Sequence, residues 1–150
     1  MKIETRAFGS GETIPLRYSK YGDNVSPPLT FVDVPDKARG LALIMDDPDA
    51  PSGLFTHWVI FNLGPATREL PEDTVPADAR QGKNSWGEAR YGGPRPPDRE
   101  HRYFFKLYAL DTSLALPNGA SREEVEGAMQ GHILAQAQYM GRHALAMAHH

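Results

Sequence analysis

Three short segments of this chain carry polar side chains that could do chemistry. Asp46-Asp47-Pro48-Asp49-Ala50-Pro51 sets three carboxylates within four positions. They repel one another and are costly if buried without partners. The segment is a solvated turn on one reading. On the other, one carboxylate orients a histidine or receives an amine or hydroxyl from a ligand. His57-Trp58 opens an apolar run, and a period of two puts His57 on the face of Val59 and Phe61. There it is either a hydrogen-bonded core histidine or a ligand group. In His101-Arg102-Tyr103, extended backbone puts the imidazole and the phenol on one face, continued inward by Phe105 and Leu107, with Arg102 pointing away. These two rings form an edge pair or one wall of a pocket. Together, two imidazoles, a phenol, a carboxylate and the N–H groups of Gly92-Gly93 can make a small polar pocket with donors for an anion. A carboxylate on one imidazole nitrogen fixes the tautomer and leaves the other N–H aimed at a ligand oxygen.

Strands and turns must position these groups. Leu41–Met45 and His57–Leu63 are short apolar runs bounded by breakers, which predicts strands buried on both faces. Leu29 to Val34 alternates weakly, with Leu29, Phe31 and Asp33 on one side, and His101 to Leu110 is a third strong strand. Thr67 to Arg80 reads as a surface loop. Gln81 to Asp98 reads as a long glycine- and proline-rich loop, ordered by Trp86 and Tyr91. Ser121-Arg122-Glu123-Glu124 is a capping box that starts a helix. Helical spacing of His132, Ile133 and Gln136 predicts a second helical piece after a break near Gly131. The expected architecture is mainly β: a two-sheet, Greek-key-like β-sandwich with one or two short C-terminal helices, in a single domain over residues 1–150.

Composition narrows the function. The 14 glycines and 13 prolines are about 18% of the chain against about 12% in average usage, which favours a turn-rich β fold. The absence of cysteine excludes disulfide scaffolds, thiolate metal sites and thiol nucleophiles. A net charge of −3 argues against a nucleic-acid partner. No apolar run approaches the length of a transmembrane segment and no export signal opens the chain, so a cytoplasmic location is expected. The closing His149-His150 pair is given no role.

The chain resembles the phosphatidylethanolamine-binding protein family, in its prokaryotic Raf-kinase-inhibitor-like branch. The resemblance rests on Ser26-Pro27-Pro28-Leu29, Asp46-Asp47-Pro48-Asp49-Ala50-Pro51, His57-Trp58, Tyr91-Gly92-Gly93-Pro94-Arg95-Pro96-Pro97, and His101-Arg102-Tyr103 leading to Leu107-Tyr108-Ala109-Leu110-Asp111. These motifs run in order from about Phe8 to about Gly141. The resemblance implies a pocket for phosphate-like groups, including phospholipid headgroups and small oxyanions. It would be built from Asp47, His57, Pro96, Pro97, His101 and Tyr103 and shaped by Asp49, Pro51 and Gly93. It also implies a cis peptide near Ala50-Pro51 and a homodimer. Three departures from the family pattern stand out: Asp98-Arg99-Glu100 where glycine is usual, Tyr21 in place of an acidic residue, and Gly141-Arg142-His143 near the C-terminus.

The expected function is that of a regulatory binding module without catalysis and without cofactor or metal. The chain has neither a Gly-x-Ser-x-Gly elbow nor a phosphate-binding glycine loop ending in Lys-Ser/Thr. Two alternatives remain at this level. One is a metal-dependent enzyme using His57, His101 and a carboxylate. The other is an interaction protein that modulates a kinase or protease.

Overall fold

In the computed structural model, which describes residues 1–145, eight strands and one α-helix follow one another. They are β1 (Lys2–Glu4), β2 (Leu29–Val32), β3 (Gly40–Asp47), β4 (Phe55–Leu63), β5 (Glu69–Leu70), β6 (Arg80–Gly82), β7 (His101–Leu110), α1 (Arg122–Met129) and β8 (Ile133–His143). Strands β1, β2 and β5 form a small antiparallel sheet, and the larger antiparallel sheet has the spatial order β6-β4-β3-β7-β8. This is the expected two-sheet, mainly β architecture. His149 and His150 lie outside the described residues.

The apolar runs become strands because both of their faces are covered. Every residue of β3 is buried. On one side Leu41, Leu43 and Met45 pack with Trp58, Ile60, Phe105 and Leu107 against Ile3, Leu29 and Phe31 of the small sheet. On the other side Ala42, Ile44, Val59 and Phe61 pack beneath Val125 and Met129 of α1. A strand between two apolar layers gains from a hydrophobic side chain at every position, which explains the unbroken runs.

The helix begins as the capping box predicts. Ser121 Oγ accepts from the Glu124 amide and Glu124 Oε1 accepts from the Ser121 amide. The predicted second helical piece is instead β8. Gly131 has φ 83° and turns the chain, and the following residues pair with β7 from Leu110↔Ile133 to His101↔His143. Strict alternation in Ala135-Gln136-Ala137-Gln138-Tyr139 sends Ala135, Ala137 and Tyr139 onto the core. That period of two outweighs the helical spacing, because β7 would otherwise keep an unpaired edge. Three smaller boundaries also differ. Asp33 has φ 56° and leaves the extended region, so β2 stops at Val32. The 67–80 segment contributes β5 and the first residue of β6, and the long loop starts only after Gly82.

One irregularity in β4 decides the site. Met45 pairs with Trp58, but Asp46 pairs with Thr56, so His57 is an extra residue opposite a single step of β3. This is a β-bulge, and it resets the alternation of side chains.

Candidate functional site

The C-terminal end of β3 separates the three carboxylates that repel one another on paper. Asp46 points toward α1, where its Oδ2 accepts from Lys106 Nζ at 2.8 Å and pairs with an Arg122 guanidinium nitrogen at 2.9 Å. Asp49 turns outward and takes Arg102 in a two-pronged grip, from Nε and Nη2, both at 2.8 Å. That grip holds the Asp49 carboxyl well below the usual carboxylate range. Asp47 points the third way, into a cavity of about 270 Å³. Burial pushes its carboxyl up, an effect only partly offset by the Asp49 amide and His101. The turn that follows places Pro51 at its second position, with the Gly53 amide donating to the Ala50 carbonyl at 3.0 Å. The Ala50–Pro51 bond is trans, contrary to expectation, because proline at this turn position presets φ in its trans form.

His57 enters the same cavity because of the bulge. Without it, His57 would lie with Val59 and Phe61 under the helix, as the period of two predicted. Instead the ring stands edge-on to Tyr103 and Trp86, with centroids 5.2 and 5.1 Å apart. Its Nδ1–H donates to the Gly92 carbonyl at 2.7 Å. Burial pushes the imidazole down to about 4, so the ring is neutral near pH 7. With Nδ1 carrying the proton, Nε2 can only accept.

His101 and Tyr103 come from the start of β7 and are both buried. His101 Nδ1 lies 2.7 Å from Asp47 Oδ2, which is the orienting contact anticipated from sequence. Its Nε2, however, is not left for a ligand, because it lies 2.7 Å from Asp98 Oδ1 on the preceding loop. The Tyr103 hydroxyl has no hydrogen-bond partner among the described residues. Burial raises the phenol, which therefore keeps its proton and remains a donor.

Of the residues expected at the pocket, Asp47, Pro51, His57, Pro97, His101 and Tyr103 line the cavity. Asp49, Gly93 and Pro96 do not. Asp49 anchors Arg102, and Gly93 lets the Tyr18 carbonyl approach so closely that a Cβ would collide with it. Pro96 is buried behind the wall, its carbonyl accepting from the Tyr21 hydroxyl at 2.8 Å. Ala50, Ser52, Phe55, Trp86 and Arg95 complete the lining. Trp86 was legible as an ordering aromatic, but its partner Lys20, with Nζ 3.5 Å from the ring centroid, carried no signal in sequence. A second cavity, of about 310 Å³ near Trp58 and Tyr91, holds none of the expected residues.

The departures from the family pattern meet in space. Tyr21 stacks on His143 with ring centroids 6.2 Å apart, and Glu100 lies 3.6 Å from Arg142. The donors for a metal centre do not converge. His57 Nδ1 and both nitrogens of His101 are engaged, and among the described residues no three His, Asp or Glu side chains form a cluster able to hold an ion.

Comparison with known proteins matches the family described as phosphatidylethanolamine-binding protein over residues 4–144. A UPF0098 protein of Methanothermobacter thermautotrophicus is 50% identical over 146 residues, covering 94% of this chain and 97% of the relative. The crystal structure of a phosphatidylethanolamine-binding protein homologue from Chlamydia trachomatis superposes with a TM-score of 0.90 at 44% identity, over 94% of this chain and 95% of that one. That of YbcL from E. coli, described as a member of the mammalian family, gives 0.88 at 28% identity over 95% and 96%.

Proposed function

Because the chain belongs to the phosphatidylethanolamine-binding protein family, we propose that its cavity receives a phosphate-type anion, free or as a phospholipid headgroup, and that the protein acts as a regulatory binding module without catalysis. The observation that carries this reading is the convergence of Asp47, His57, His101 and Tyr103 on one cavity of about 270 Å³, beside which the buried Tyr103 hydroxyl lacks a partner among the described residues. A buried polar group without a partner costs about 1–3 kcal/mol, a cost that a ligand oxygen accepting from the phenol would remove. Arg95 at the rim adds positive charge, while Phe55 and Trp86 exclude water from one wall.

The donor and acceptor pattern narrows the ligand. His57 Nε2 accepts and Tyr103 donates, so the fitting anion carries both a bare oxygen and a proton. A phosphomonoester gains that proton near its second ionisation, at about pH 6. A proton shared with Asp47 also relieves the like-charge penalty of placing a phosphate beside that carboxylate. Sulfate offers oxygens but no proton.

Titration calorimetry with inorganic phosphate, phosphoethanolamine and sulfate tests the reading. Phosphate and phosphoethanolamine are expected to bind more tightly as pH falls from about 7.5 to about 6. Sulfate should be weaker by roughly tenfold, the cost of one unmet buried acceptor. His101→Ala should abolish binding and Tyr103→Phe should weaken it. Unchanged affinity in both variants would remove the site assignment. The proposal includes a homodimer, as the family resemblance of the sequence implies, and a single-chain mass by light scattering would end that part. No helix of the described residues is long and apolar enough to cross a membrane.

A further inference from the structure

We propose that Asp98 is a resident occupant of the anion site: its carboxylate holds the place on His101 Nε2 that an incoming oxyanion takes, and it thereby determines which anions enter. The inference rests on the reading of the cavity as an anion site.

The His101 ring is 1% exposed, and each of its nitrogens meets a carboxylate oxygen at 2.7 Å, Asp47 Oδ2 on Nδ1 and Asp98 Oδ1 on Nε2. Two carboxylates bring acceptors only, so two short contacts need two protons, one more than a neutral imidazole carries. An oxyanion placed at Nε2 meets the same demand. Exchanging Asp98 for a ligand oxygen leaves the proton count and the sign of charge at that position unchanged, whereas a neutral oxygen or an amine does not.

The two carboxylates differ in their freedom to leave. Asp47 is fixed in β3, and its other oxygen accepts from the Asp49 amide at 2.7 Å. The Asp98 side chain is 44% exposed on the rim. Its remaining tie is the local Arg99 amide at 2.9 Å, and among the described residues it forms no ion pair with a lysine or arginine. Neighbouring residues of the loop have ties of their own. The Pro96 carbonyl takes the Tyr21 hydroxyl, an Arg99 guanidinium nitrogen reaches the Asp49 carbonyl at 3.4 Å, and Glu100 pairs with Arg142. A side-chain rotation therefore vacates Nε2 without moving the loop.

Tethering gives Asp98 an advantage over any free carboxylate. A group held on a short segment acts at an effective concentration of about millimolar or above. Acetate offers the same carboxylate chemistry without the tether and is outcompeted. A phosphate has further oxygens for Tyr103 and Arg95 and displaces Asp98 through contacts that a carboxylate lacks. The apparent affinity is the intrinsic affinity scaled by the fraction of molecules in which Nε2 is open.

The test is calorimetric titration of inorganic phosphate and of acetate into wild type, Asp98→Ala and Asp98→Ala/His101→Ala. Phosphate is expected to bind Asp98→Ala about tenfold more tightly, which corresponds to Asp98 holding the site about nine-tenths of the time. Acetate should become measurable only in the single variant, and the double variant should bind neither. If wild type binds phosphate and Asp98→Ala binds it equally or more weakly, Asp98 is not a competitor and the inference falls while the cavity remains an anion site. If neither wild type nor Asp98→Ala binds phosphate, the anion reading falls and this inference with it.

Discussion

Burial keeps the His57 imidazole uncharged, and stability should record that in its pH dependence. The ring titrates at about 4 in the folded chain and at about 6.5 when unfolded. Between those values the unfolded state binds a proton that the folded state refuses. The contribution is therefore complete above about pH 6.5 and is lost as pH falls toward about 4, with a slope of up to about 1.4 kcal/mol per pH unit. His143 is also buried and held below its ordinary value by burial, so it adds to the same slope. Urea unfolding at several pH values should show the loss. His57→Gln, which can still donate to the Gly92 carbonyl, should flatten the slope by about one proton's worth. A slope identical to wild type would mean that His57 is charged in the folded protein.

At the scale of elements, two glycines should respond to the same substitution with opposite sign. Gly93 lies where a Cβ would collide with the Tyr18 carbonyl and come within 3.0 Å of Asn24 Oδ1. The adjoining Pro94 carbonyl is held by the Lys20 amide at 2.9 Å, so the clash passes into the proline wall of the cavity. Gly93→Ala is expected to cost about 1–3 kcal/mol by forced repacking and to weaken phosphate binding. Gly127 sits on the exposed face of α1, where an added methyl group would meet nothing within 4 Å. Gly127→Ala should stabilise by about 0.5–1 kcal/mol through helix propensity and leave binding unchanged. Thermal melts of the two variants beside wild type decide the matter. Equal shifts in one direction would show that the loop is not packed tightly at Gly93.

For the molecule as a whole, the two apolar cores lie on opposite faces of β3 and β4 and so share the same strands. Leu43 faces the small sheet and its neighbour Ile44 faces α1. Loss of either layer exposes one face of the same strands. Leu43→Ala is expected to cost about 3 kcal/mol, as a buried leucine truncation does. Val125→Ala, under the helix, should lower the same transition by a smaller amount. Tryptophan fluorescence and far-ultraviolet circular dichroism should give coincident unfolding curves for both variants. Separated curves would show the helix layer melting independently of the sandwich.

Much of the fold is written locally in the chain. Unbroken apolar runs announce strands covered on both sides, the Ser121–Glu124 box starts the helix, and the residue types at positions 47, 57, 101 and 103 define the chemistry of the cavity. These are nearest-neighbour properties, set by side-chain volume, polarity and backbone preference. The Ala-Gln alternation after Gly131 was legible too, but it competed with a helical spacing, and only the open edge of β7 resolves the competition. Tertiary structure alone turns His57 into the cavity, because a bulge is a mismatch between two strands and neither strand carries it alone. The same holds for the carboxylate on His101 Nε2. Asp98 is only three residues from the ring in sequence, but whether it folds back onto Nε2 depends on where its loop is pinned, and here the pins are Tyr21, Asp49 and Arg142, remote in sequence from the ring they help to enclose.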